Sequence, residues 1–256
     1  MRPILFHIGE LAIPSFWAMA FLGFFVGLLV VRRGVVERGY DIRVAYDLVL
    51  WAYIGGWVGA RLFVIPSGWN YFVDDPIGFL FSSSGWVWYG GVVGGSVAVL
   101  LWAWSAQIPL AVAADIMAPA LAIGLAVGRM GCQLAGDGDY GVPTELPWGM
   151  SYPNGVVPTT ERVHPTPLYE IAAYLAIFVV LWRQRGRGLP PGHLIGQYLV
   201  YSGAARFAIE FLRRNPAWLG GLTTAQWFAI ASMAFGMWLV GRVRGQVRDG
   251  SLVASR

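Results

Sequence analysis

Seven stretches of mostly apolar residues, each long enough or nearly long enough to cross a bilayer, constrain this chain more than any other feature. A membrane helix needs about 20 such residues. The stretches are Pro14–Val31, Tyr46–Pro66, Trp86–Trp104, Val112–Met130, Pro167–Trp182, Leu194–Leu212 and Thr223–Val240. The fifth is the shortest and the sixth the least apolar. They leave little else in a chain that is 57% hydrophobic and 12% charged, with a mean hydropathy of +0.57. A soluble domain carries roughly twice that charged fraction, so water is a poor solvent for this surface. The expected fold class is an all-α integral membrane protein with about seven transmembrane helices and a single polytopic domain over residues 1–256. The first apolar run continues into a full span without a small-residue cleavage site, so no cleaved signal peptide is expected.

All 18 basic residues are arginine, and their placement sets an orientation. Arg32, Arg33, Arg38 and Arg43 follow the first span, and Arg183, Arg185 and Arg187 follow the fifth. Arg242, Arg244, Arg248 and Arg256 follow the seventh. An odd span number puts these eleven on one side, against Arg2, Arg162, Arg213 and Arg214 on the other. The expected topology is N-terminus outside and C-terminus cytoplasmic. The net charge of +4 is scattered between apolar runs, which is no footprint for nucleic acid. The single Cys132 excludes an intramolecular disulfide and a Cys-clustered metal centre. His7, His164 and His193 lie far apart, so no metal and no cofactor are expected.

Two segments are expected outside the membrane. Gly131–Thr166 is rich in Gly, Pro and Thr, and holds Asp137, Asp139, Glu145, Glu161 and Arg162. Ser67–Gly85 mixes Trp69, Tyr71, Phe72 and Phe79 with Asp74 and Asp75, which suits a short helix in the interface.

An ionised side chain at membrane depth costs about 2.5–3.5 kcal/mol on insertion scales and usually serves a function. Arg206 and Glu210 are one helical turn apart in the sixth span and can pair. They are either a structural pair or an anion site in which Glu210 orients Arg206. Arg129 ends the fourth span between glycines, where a ligand can approach closely; the alternative is an arginine reaching to the interface. Arg61, near the outer end of the second span, admits both readings. Three arginines near one membrane face suit a phosphate, because the guanidinium fork donates two parallel hydrogen bonds. A phospholipid headgroup is the phosphate at hand.

Other residues cluster at the same face. Tyr89 opens the third span in Tyr89-Gly90-Gly91, as an interfacial aromatic or a hydrogen-bonding catalytic group, and the glycines suit close helix packing. In His164-Pro165-Thr166-Pro167-Leu168-Tyr169-Glu170, Thr166 reads as N-cap, Pro167 as the first helical residue and Glu170 as a first-turn carboxylate. Gly136-Asp137-Gly138-Asp139-Tyr140-Gly141 reads as a turn with too few ligands for an EF-hand. A solute transporter would show internal repeats and helices broken at mid-membrane. Neither is visible, and a non-catalytic scaffold leaves Arg206 and Glu210 unexplained.

This ordered set, closed by Arg206-Phe207-Ala208-Ile209-Glu210-Phe211 and Arg213, resembles the phosphatidylglycerol–prolipoprotein diacylglyceryl transferases of bacteria over Pro14–Leu239. The resemblance implies an enzyme of the cytoplasmic (inner) membrane. Its partners would be phosphatidylglycerol, a prolipoprotein signal peptide with its lipobox cysteine, and membrane lipid. The acceptor thiol would displace the headgroup at a glycerol carbon, forming a thioether and releasing glycerol phosphate. Arg129, Arg206, Glu210, Tyr89 and Asp137 would be catalytic. Substrate would be held by Arg129, Arg206, Arg61, Gly90, Gly91, Gly136, Gly141, His164, Tyr169 and Glu170. The chain departs from the family pattern in three places. Tyr89 stands where many members carry His, Cys132-Gln133-Leu134-Ala135 stands for Asn-Phe-x-Asn, and the acidic loop is one residue longer. Asp137 and Asp139 therefore both remain candidates for the loop acid, and a diverged relative with another acceptor is the alternative reading.

Overall fold

The computed structural model describes residues 1–81 and 87–248. Trp86, residues 82–85 of the interfacial segment and Arg256 lie outside the described residues.

The long helices are α1 (Ser15–Glu37), α2 (Arg43–Leu62), α5 (Trp88–Ser105), α6 (Leu110–Ala135), α7 (Thr166–Gln184), α8 (His193–Glu210) and α9 (Thr224–Arg248). Two short helices, α3 (Trp69–Asp74) and α4 (Pro76–Phe81), make up the segment after α2. By length and composition, α1, α6 and α7 are apolar enough to cross a membrane, and Tyr89–Ser105 is a shorter apolar helix. The protein is thus mostly helical and membrane-like in composition, but it is not all-α. Strands β1 (Ile4–Ile8) and β2 (Leu11–Pro14) form one antiparallel hairpin, and β3 (Met150–Tyr152) and β4 (Thr159–Val163) form another.

Helix ends also differ from the apolar runs. Arg32 and Arg33 remain helical in α1, and α6 continues six residues past Arg129. An apolar run ends where side chains become polar, whereas backbone hydrogen bonding continues into the interface. Thr166 belongs to α7 itself, with Pro165 at the cap position, so its hydroxyl is not the expected N-cap. It donates instead to the Asp139 carbonyl at 2.5 Å. Glu170 consequently sits in the second turn of α7, not the first.

The chain divides into two compact units, Val31–Ala114 and the remainder, Met1–Val30 with Asp115–Arg256. In the first of these, α2 and α5 pack along a glycine seam. A Cβ at Gly59 would strike the Gly90 carbonyl, and one at Gly94 the Gly55 carbonyl. Gly90 is therefore fixed by helix packing. Gly91 faces Gly56 more loosely, its Cβ position 3.4 Å from that carbonyl. Arg61 lies buried in the last turn of α2, 2% exposed, and Tyr89 is half-buried at the start of α5.

In the larger unit, Ala118, Ala122 and Ala126 of α6 meet Tyr174, Ile177 and Leu181 of α7 and Leu194 and Tyr198 of α8 in one apolar core. The small face of α6 lets the neighbouring helices close in. Asp115 of α6 accepts the backbone N–H groups of Gly192 at 2.9 Å and Ile195 at 2.8 Å. Its buried carboxylate thus satisfies orphan donors at the positive end of α8. This contact helps fix the helix that carries Arg206 against the helix that carries Arg129.

Candidate active site

The larger unit brings together side chains from four parts of the chain. Arg129 comes from α6, Asp139 from the following loop, Glu170 from α7, and Arg206 and Glu210 from α8, with Arg213 just beyond. Glu170 is the hub, 1% exposed. Its Oε2 lies 2.6 Å from Arg129 Nε, and its Oε1 accepts from Arg206 Nη1 at 2.6 Å. Arg206 Nη2 reaches Glu210 Oε2 at 2.8 Å, the one-turn pair expected from the spacing. The other Glu210 oxygen accepts from Asn215 and from the Thr223 hydroxyl, both at 2.8 Å. That carboxylate is therefore fixed on both edges.

Arg213 adds a third guanidinium. It pairs with Asp139 and lies 3.7 Å from Glu210 Oε2 and 3.9 Å from Glu170 Oε1. Asp139 also pairs with Arg129. Three arginines and three carboxylates thus form one neutral network, in which each carboxylate touches at least two arginines. A buried ion of either sign is tolerable only with such compensation. In the sequence Arg213 stands out only within the resemblance and otherwise reads as an outer-loop charge. Its spacing of three from Glu210 was the available signal.

The acidic loop assigns its two aspartates different surroundings. Asp139 binds the arginines, whereas Asp137 accepts the Asp139 backbone N–H at 3.2 Å and lies against the Cys132 thiol. Burial alone would raise the Asp139 pKa, but Arg129 and Arg213 outweigh it and hold the carboxyl below its ordinary range. Burial, then the charge of Asp139, pushes Asp137 up. Gly136 takes a left-handed φ of +60°, and a Cβ at Gly141 would strike the Leu212 carbonyl. Both glycines therefore serve the loop backbone, which places Asp139. Cys132, Asp137 and Asp139 offer ligand atoms within 4.8 Å of one another. A cation there would also face Arg129 Nη1, 3.6 Å from the same sulfur.

His164 and Tyr169 stand beside the network rather than in it. The Tyr169 hydroxyl accepts the Trp148 indole N–H at 2.8 Å and lies 3.2 Å from His164 Nδ1. Arg61, Tyr89, Gly90 and Gly91 belong to the unit of α2 and α5, described above.

Asp139→Asn tests the loop assignment. A carboxyl held low contributes stability that is full above its unfolded pKa of about 3.9 and is lost as pH falls through the lower folded value. Wild-type thermal stability in detergent should therefore fall on acidification below about pH 4. Asp139→Asn should remove part of that acid loss. It should also cost about 2 kcal/mol near neutral pH, since two guanidiniums lose a charged acceptor.

Residues 3–242 match the family described as prolipoprotein diacylglyceryl transferase. A phosphatidylglycerol–prolipoprotein diacylglyceryl transferase of Clostridium tetani is 30% identical over 96% of this chain and 100% of its own length. One of Cupriavidus pinatubonensis is 33% identical over 97% of this chain and 94% of its own. A third, from Nitratidesulfovibrio vulgaris, is 32% identical over 95% and 94%. With nearly its whole length matched, this chain belongs to the prolipoprotein diacylglyceryl transferase family.

Proposed function

We propose that this chain transfers the diacylglyceryl group of phosphatidylglycerol to the lipobox cysteine of a prolipoprotein in the bacterial cytoplasmic membrane. The family supplies the donor and acceptor. The observation in this chain that supports the reading best is the convergence of Arg129 and Arg206 on the single carboxylate of Glu170. Two forked donors are thereby preset side by side. Each keeps about a fifth of its side chain exposed, 18% and 22%, so neither is sealed from a headgroup.

In this reaction the acceptor sulfur forms a bond to the glycerol carbon of the diacylglyceryl group. The bond from that carbon to the phosphate oxygen breaks, and the electron pair leaves with glycerol phosphate. Arg129 and Arg206 hold the phosphate as its charge grows, where fixed donors act most strongly. Glu210 keeps Arg206 aimed, and Arg213 adds positive charge behind Asp139. The thiol proton goes to Asp137 or Tyr89. Asp137 is the acid of the loop that no arginine of the network holds, and burial pushes its carboxyl up from the ordinary range. Arg61, Gly90 and Gly91 remain substrate-binding candidates in the unit of α2 and α5, and Gly136, Gly141, His164 and Tyr169 in the larger unit.

Cys132 is not the nucleophile in this scheme. It is buried and engaged by Arg129 and Asp137. Cys132→Ser should keep most of the transfer rate. Complete loss in a folded variant, with a lipid adduct trapped on wild-type Cys132, would show a two-step route through this residue instead.

The proposed topology has seven spans, with the N-terminus outside and the C-terminus in the cytoplasm. It rests on the eleven-to-four arginine split. Cysteines introduced at Arg187 and Glu161 should react with an impermeant reagent from opposite faces of the membrane. Labelling of both from outside would sink the seven-span arrangement. The function itself is tested by transfer of labelled diacylglycerol from phosphatidylglycerol to a lipobox peptide by the purified protein. Absence of the thioether product would reject it.

A further inference from the structure

The outer segment turns sharply at Leu146–Gly149, where the Gly149 N–H bonds the Leu146 carbonyl at 2.9 Å. This turn exposes two large apolar side chains, Leu146 at 38% and Trp148 at 56%. It is firmly held. The Arg162 guanidinium donates to the carbonyls of Leu146 and Pro147 at 3.1 Å and of Gly149 at 3.4 Å. The Thr144 hydroxyl accepts the Leu146 N–H at 3.3 Å. The turn is thus braced by surface hydrogen bonds, and Leu146 and Trp148 stay exposed on it.

The turn also has a defined depth. The Trp148 indole N–H donates to the Tyr169 hydroxyl at 2.8 Å, and Tyr169 is the fourth residue of α7, one of the helices long and apolar enough to cross a membrane. The indole is thus tied to the first turn of that helix, which exposes Leu168 at 39%. Tryptophan collects at this level because its ring is apolar and its N–H is polar. Here the N–H is satisfied by protein and the ring body remains uncovered.

We propose that the Leu146–Trp148 turn sits in the outer-leaflet interface, as a membrane-docking element whose occupant is lipid. The proposal rests on reading α7 as a span. Its consequence is local: Tyr169 precedes Glu170, so the turn fixes the depth of the carboxylate on which Arg129 and Arg206 meet. The lipid-facing turn and the phosphate-binding network are then one rigid assembly.

Nitroxide labels placed one at a time in a Cys132→Ser background test this. The positions are Leu146→Cys, Val179→Cys on the exposed side of α7, and Glu161→Cys, each in vesicles of phosphatidylcholine with a minor share of phosphatidylglycerol. Accessibility to oxygen and to a water-soluble nickel chelate reports immersion without requiring activity, and thermal unfolding checks each fold. The label at 179 should be deeply lipid-immersed. The label at 146 should be oxygen-accessible at shallow depth, with an oxygen-to-nickel ratio several-fold above that at 161. A label at 146 as water-accessible as that at 161, with 179 in lipid, would overturn the docking turn and leave the span standing. A water-accessible label at 179 would overturn the span and the docking turn with it.

Discussion

Arg129→Lys and Arg206→Lys are each expected to lower the transfer rate by about 10²–10³, the usual cost of removing a donor aimed at developing charge. Both variants keep the charge, so the loss isolates geometry. A lysine ammonium is a single point of donation, whereas the guanidinium is a planar fork that binds a carboxylate and a phosphate on different edges. Arg129 uses Nε for Glu170 and Nη1 for Asp139, and Arg206 uses Nη1 for Glu170 and Nη2 for Glu210. An ammonium cannot reproduce either pair of contacts and still face a headgroup. Glu210→Gln should be harmful too, because Arg206 loses its second anchor, and Arg61→Lys should be milder. Transfer of labelled diacylglycerol to a lipobox peptide, with detergent thermal stability as the folding control, checks the series.

Glu170→Gln is expected to be the most damaging single change to the network itself. Glu170 is fully buried and touches all three arginines. Removing one member of a buried ion cluster leaves uncompensated charge and costs about 3–5 kcal/mol in enclosed cases. Arg129 and Arg206 retain some solvent contact, so about 3 kcal/mol, the lower end of that range, is expected here. Activity should fall further than stability accounts for, since the two guanidiniums lose the bridge that sets their spacing. Glu170→Asp keeps the charge but shortens the reach. It should recover stability before it recovers rate, and that split between Tm and kcat separates a positioning role from a purely structural one.

Much of this was legible in the sequence. Seven apolar runs correspond to seven long helices among the described residues, and three of these, α1, α6 and α7, are long and apolar enough to cross a membrane. The runs did not mark the helix ends, since α1 carries Arg32 and Arg33 and α6 continues to Ala135. The two hairpins were invisible. Their strands are three to five residues long, too short for an alternating pattern to stand out, and each is stabilised by one antiparallel neighbour. Residue types at the site were legible too, because an arginine or glutamate inside an apolar run is conspicuous. Their wiring was not. Glu170 looked complete as a helix-start carboxylate, and only the approach of α6 and α8 makes it a bridge between Arg129 and Arg206. Asp139 and Asp137 were indistinguishable in a short Gly-rich loop, until the fold turned one toward two guanidiniums and the other toward Cys132. Arg213 read as an outer-loop charge because sequence alone does not show that the chain after α8 folds back beside Gly141.

We propose that Arg129 and Arg206 hold one phosphate as a unit. The most direct measurement is a double-variant cycle on transfer rate: Arg129→Lys, Arg206→Lys and the two combined, each shown to be folded by its Tm. Residues that act on one group together lose most of their joint effect at the first substitution. Each single variant should therefore lose nearly the full rate, and the double variant should be little worse than either. Folded single variants that transfer lipid at near wild-type rates would contradict the clamp and make both arginines structural.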